Sequence, residues 1–235
     1  MSKRYTVVWW GLLAALVIAA AVPSVPWEAI AASGGTQSEP VLIIDAGHGG
    51  ADGGAIAADG TPESEINLDI ALRVEALAHF CGVRTEMTRR TRDIDYPADA
   101  QTLSQMKKWD QNERLRLINS LPDAVLLSIH QNNYPATSPC GIQVFYNGMT
   151  GSDAFAVLLQ GNLTASLCPD NRRVAEVADE GIYLMRRSEH PAALVECGFL
   201  SNPAELEKLE SDGYRTQLAV VMVASWLQYI RGTEI

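Results

Sequence analysis

The stretch Val41-Leu42-Ile43-Ile44-Asp45-Ala46-Gly47-His48-Gly49-Gly50 decides how this chain is read. Its first four residues are all apolar, the pattern of a short strand buried on both faces in a parallel sheet. Asp45-Ala46-Gly47 ends the run, and the glycines that follow let the backbone bend sharply and leave space around the imidazole of His48. The loop is not a phosphate cradle. A Walker loop needs Gly-Lys-Ser/Thr, and a dinucleotide fingerprint counted from Gly47 needs glycine where this chain has Asp52.

Outward from this strand, apolar residues recur at Ile66, Ile70, Ala71, Val74, Leu77 and Ala78, a helical period over 66–80 that Gly82 stops. A strand follows at 83–88, a helix at 112–120, and an apolar strand at 124–129 that delivers His130. Strand 141–146, helix 153–167, strand 192–197 and helix 214–230 complete the pattern. Alternation of short apolar strands with helices predicts an α/β fold, a three-layer sandwich with a mostly parallel central sheet flanked by helices. Ligands of such sheets bind at the carboxyl ends of strands. His48, His130 and Glu196 all sit at predicted strand ends.

With 235 residues, 47% of them hydrophobic, the chain can fill one core of ordinary size. A formal net charge of -10 and a pI near 4.8 exclude a protein that grips nucleic acid, which requires a basic face. Lys3 and Arg4 ahead of the apolar run 7–22, with Pro23 and Pro26 behind, read as an export signal. Residues 1–30 are thus expected to be a signal peptide or a membrane anchor. Ala29-Ile30-Ala31 resembles a processing site, while the prolines equally suit the end of a retained anchor, and any membrane contact is expected through this segment alone. Residues 31–40 have the composition of a linker, leaving 41–235 as the catalytic domain on the extracytoplasmic side. Four cysteines suit one or two disulfides in an exported protein. Cys81 and Cys197 are expected in the core, and if any pair is bridged, Cys140 with Cys168 is the expected one.

Four segments carry candidate chemistry, each with a bland alternative. His48 alone in a loop reads as a surface residue. Glu63, two residues before Glu65, reads equally as an acidic residue complementing a helix N-terminus. His130, leaving an apolar strand, fits a satisfied core histidine. Glu196, at the end of the strand Leu194-Val195-Glu196-Cys197, resists such an explanation, because a buried carboxylate is costly unless paired or used. Together, two histidines and a carboxylate make the protein ligand set of a catalytic zinc site, and a further glutamate supplies a base. That chemistry is amide hydrolysis.

Four blocks now bear on the family: Ile44-Asp45-Ala46-Gly47-His48-Gly49-Gly50, Glu63 ahead of Asn67-Leu68, Ser128-Ile129-His130-Gln131-Asn132, and Val195-Glu196-Cys197-Gly198-Phe199-Leu200-Ser201-Asn202-Pro203. In this order they resemble the zinc-dependent N-acetylmuramoyl-L-alanine amidases of bacterial peptidoglycan. The resemblance runs from Val41 to the C-terminus and includes Thr88-Arg89 and the helix containing Glu113-Arg114. It implies Zn2+ held by His48, Glu63 and His130, Glu196 as the catalytic carboxylate, and an α/β sandwich. It selects Glu63 over Glu65 by its spacing to Asn67-Leu68. Peptidoglycan is the implied partner, and an acidic enzyme must hold an anionic wall by specific contacts in a cleft. No activating protein partner is legible. The Cys197 variant of the last block is similar to the sporulation type, which acts on spore cortex. A zinc peptidase cutting elsewhere in the stem peptide, and an inactive wall-binding module, are the competing readings.

Overall fold

The first apolar run forms β1 (Val41–Ala46), buried from Leu42 onward. The computed structural model describes residues 39–232, so the export segment and most of the expected linker lie outside the described residues. After the glycine-rich loop come α1 (Glu63–Phe80), β2 (Thr85–Met87), α2 (Leu103–Ser120) and β3 (Ala124–Asn132). Next are β4 (Gln143–Tyr146), α3 (Ser152–Leu167), β5 (Glu176–Val177), α4 (Tyr183–Arg187) and β6 (Ala192–Phe199). Helices α5 (Pro203–Glu210) and α6 (Asp212–Gly232) close the described chain. Among the described residues no helix is long and apolar enough to cross a membrane.

The six strands form one sheet in the order β2-β1-β3-β6-β4-β5. All pairings are parallel except β4 against β6. Alternation along the strands then builds two cores. Leu42, Ile44, Leu127, Ile129 and Val195 face α1, α3 and α6, meeting Ile70, Phe155, Leu159, Met222 and Trp226. Ile43, Leu126 and Leu194 face the other way, against Ile118 of α2 and Met185 of α4. The expected three-layer α/β sandwich is what the chain adopts.

Several elements differ from their predicted extents for local reasons. Helix α2 starts at Leu103, well before the expected start at 112, because Thr102 and Gln105 form a reciprocal capping box. Its first turns bury little, so hydrophobic period does not reveal them. Strands β3 and β6 run on past their predicted ends, which puts His130 within β3 and not just beyond it, and Glu196 inside β6 rather than near its end. Strand β5 and helices α4 and α5 are too short to impose a period on the sequence.

Two expectations about cysteines are corrected. Cys81 is exposed, not in the core, because α1 ends there and the chain turns away through Gly82 at φ 78°. Cys140 and Cys168 are both free thiols, as are Cys81 and Cys197. Cys140 lies in the exposed connection before β4, and Cys168 caps the end of α3 with its thiol turned to the carbonyl of Leu163. Only Cys197 is buried, and burial pushes its thiol above the ordinary range.

Candidate metal centre and active site

Three elements deliver the candidate ligands to one point. His48 stands in the loop after β1, Glu63 opens α1, and His130 lies in β3. One ligand atom from each residue falls within 4.8 Å of the others. His130 Nδ1 is 2.9 Å from Glu63 Oε1, His48 Nε2 is 3.4 Å from Glu63 Oε2, and the two imidazoles meet edge to face with centroids 5.0 Å apart. Glu65, the alternative, points away and pairs with Arg92 at 2.8 Å.

The surroundings hold Glu63 where it is. Its Oε1 accepts from Asn67 Nδ2 and from the backbone N–H of Gln131, both at 3.1 Å, and Oε2 accepts from the N–H of Ala55 at 3.0 Å. Burial disfavours its charge, but His130, His48 and the Ala55 N–H outweigh that and hold the carboxyl down at about 2. Burial likewise opposes protonation of His130, and the adjoining Glu63 more than offsets it, so its pKa is raised. Glycines make the room. A Cβ on Gly47 would come within 2.3 Å of the His130 ring, and one on Gly54 within 2.6 Å of Glu63 Oε2. Two imidazoles and a carboxylate converging in a space kept clear by glycine form a donor set suited to a divalent ion of the nitrogen- and oxygen-binding type.

Glu196 lies on the next strand, directly opposite His130 in the β3–β6 register. Its Oε2 is buried without a hydrogen-bond partner. Burial, assisted by the charge of Glu63 and opposed by His130, pushes the carboxyl up to about 7. A carboxylate poised there is matched to exchanging protons near neutrality. On the same sheet face a cleft of about 230 Å³ opens between α2 and the start of α4, lined in part by His48, His130, Lys107 and Tyr183.

The loop bearing His48 is held by groups that pattern reading alone does not find. His48 adopts φ 58°, the left-handed region that costs a residue with a side chain about 1–2 kcal/mol. The guanidinium of Arg114 donates to the carbonyls of Ala46 and His48, and that of Arg89 to Ala46 and Gly47. Buried Asp45 receives Arg114 Nη1 at 2.9 Å, Ser128 Oγ at 2.6 Å and Thr88 Oγ1 at 2.8 Å. Asp52 accepts from His48 Nδ1 at 2.9 Å and from Lys107 Nζ at 3.0 Å. In the sequence, Arg89 and Arg114 stand out only through the family resemblance. The available signals were Asp45 ending an apolar strand, the Asp110-Arg114 pair one helical turn apart, and Asp52 four residues after His48.

Burial raises the pKa of Asp45, but Arg114 and the other donors outweigh it and hold the carboxyl below its ordinary 3.8. A depressed carboxyl adds stability that is complete above the unfolded value and is lost as pH falls through the folded one. Urea midpoints are therefore expected to fall as pH drops below about 3.8. The fall should be shallower in Asp45→Asn, and parallel pH profiles for the two proteins would contradict this.

Comparison with known proteins bears on this geometry. Residues 42–225 match the Amidase_3 family, described as N-acetylmuramoyl-L-alanine amidase. The germination-specific N-acetylmuramoyl-L-alanine amidase of Bacillus subtilis is 33% identical over 193 residues, covering 82% of this chain and 80% of that protein. The amidase LytC of the same organism is 30% identical over 193 residues, 81% of this chain but 35% of LytC, so this chain spans about a third of that relative. Among solved structures, the CwlD amidase of Clostridioides difficile, in complex with the GerS lipoprotein, superposes with a TM-score of 0.78. It is 30% identical, covering 82% of this chain and 98% of that one. A family match over most of the chain, on the expected fold, makes this protein a member of the N-acetylmuramoyl-L-alanine amidase family, with amidase activity toward peptidoglycan.

Proposed function

We propose that the protein is a zinc-dependent hydrolase of the amide bond between N-acetylmuramic acid and L-alanine, with His48, Glu63 and His130 as metal ligands and Glu196 as general base. The observation that carries the assignment is Glu196 itself, a half-buried carboxylate with one buried, unpartnered oxygen, across one strand pairing from a candidate ligand. A zinc ion held by such a set supplies a Lewis acid for the scissile carbonyl and acidifies the attacking water. Glu196 takes the proton of that water and passes it to the nitrogen of L-alanine as the bond breaks. Glu63 and the glycine-lined loop keep both imidazoles turned inward, and the cleft between α2 and α4 admits the substrate.

The test is digestion of purified wall by the full chain, followed by identification of the new amino termini. Free L-alanine termini are expected. New termini elsewhere in the stem peptide would support the competing peptidase reading, and no new termini would leave the wall-binding module. His48→Ala and His130→Ala are expected to lose zinc by elemental analysis, and stoichiometric zinc in either would overturn the ligand set.

An exported location and a role in spore-cortex modification leading to muramic lactam extend the reading. Similarity to a germination-specific amidase supports the cortex role. Spores of a strain lacking the gene should then have a cortex depleted of muramic lactam, whereas cortex of ordinary composition would assign the enzyme to other wall.

A further inference from the structure

Asp52 uses its two carboxylate oxygens for two different jobs. Oδ1 accepts the backbone N–H of Gly54 at 3.2 Å, a local turn contact within the loop. Oδ2 lies 2.9 Å from His48 Nδ1 and 3.0 Å from Lys107 Nζ. An ionised carboxylate can only accept, so the imidazole proton belongs on Nδ1. The other ring nitrogen, Nε2, then carries a lone pair and faces Glu63 Oε2 at 3.4 Å. Lys107, reaching across the cleft from α2, donates to the same Oδ2 and favours its ionised form.

We propose that Asp52 is a positioning residue for the metal site: through Oδ2 it fixes the tautomer and orientation of His48 and so sets metal affinity, with Lys107 holding the carboxylate in place. This rests on the assignment of His48 as a ligand. A partner that accepts the second N–H of a ligating histidine makes the ligating nitrogen more basic and holds the ring in one orientation, and losing such a partner costs about 10- to 100-fold in metal affinity.

Asp52→Asn separates this role from the turn. The amide oxygen can keep the Gly54 contact at the Oδ1 place, while the NH₂ group then stands where Oδ2 was. A donor there opposes a proton on Nδ1 and drives it to Nε2, the nitrogen that faces Glu63.

The experiment measures zinc affinity of the full chain by chelator competition, thermal midpoints of the metal-free proteins, and the His48 tautomer by ¹⁵N NMR. Asp52→Asn is expected to bind zinc about 10- to 100-fold more weakly, at an unchanged metal-free midpoint, with the His48 proton moved to Nε2. Lys107→Met should weaken binding less. Wild-type affinity in Asp52→Asn would overturn the proposal, as would weaker binding fully matched by a lower metal-free midpoint. If His48→Ala also binds zinc like the parent, the ligand assignment fails instead. Should Asp52→Asn not fold, the tautomer in the metal-free parent decides: Nδ1–H upholds the role and Nε2–H overturns it.

Discussion

Glu196→Ala is expected to keep its zinc and lose turnover by about a hundred- to ten-thousand-fold, the range for removing a positioned general base. The variant should also lose less stability than truncation of a buried side chain ordinarily costs. Glu196 Oε2 is buried without a partner, and an unsatisfied buried polar atom costs about 1–3 kcal/mol. Removing it relieves that cost and offsets part of the packing lost with the side chain. Elemental analysis, thermal melts and wall digestion on one preparation test the combination. An unchanged rate would refute the role of base. A lower midpoint together with lost zinc would instead mark Glu196 as part of the scaffold.

Arg114→Ala is expected to cost about 3–5 kcal/mol, the range for breaking a buried ion pair by removing one partner. Asp45 would be left in the core without its cation, and Asp110 would lose a pair that spans 2.9 Å. The same change frees the carbonyls of Ala46 and His48, which the guanidinium holds. His48 would then lose the restraint on its left-handed backbone. Urea denaturation of the metal-free protein measures the first effect, and zinc titration of the still-folded fraction measures the second. A loss below about 1 kcal/mol, the range for an exposed pair, would show that solvent reaches this cluster.

How far the sequence speaks for the structure depends on the distance over which each signal acts. The alternation around Val41, Ala124 and Ala192 is local, and it places the central strands and the sandwich correctly. His48 and His130 are legible because each leaves an apolar strand, and such strands converge at one end of a parallel sheet. Glu63 is less so: before folding it is an acidic residue at a helix start, and only the docking of α1 beside β3 turns its carboxyl toward two imidazoles. Arg114 is fainter still, since Asp110 one turn before it marks an ion pair on the helix but not that the pair will be buried against β1. The antiparallel setting of β4 is equally hidden, because it depends on where β6 inserts and not on anything within 143–146.

The sheet order has a consequence for the time course of folding. Strand β6 lies between β3 and β4 although it is synthesised after both. Until residues 192–199 arrive, β3 presents an open apolar edge, the kind of surface that recruits other chains. A nascent chain halted before that point holds His48, Glu63 and His130 but not a closed sheet. The strand that seals the edge is also the one that carries Glu196, so sheet closure and the arrival of the proposed base are a single late event in the birth of the protein.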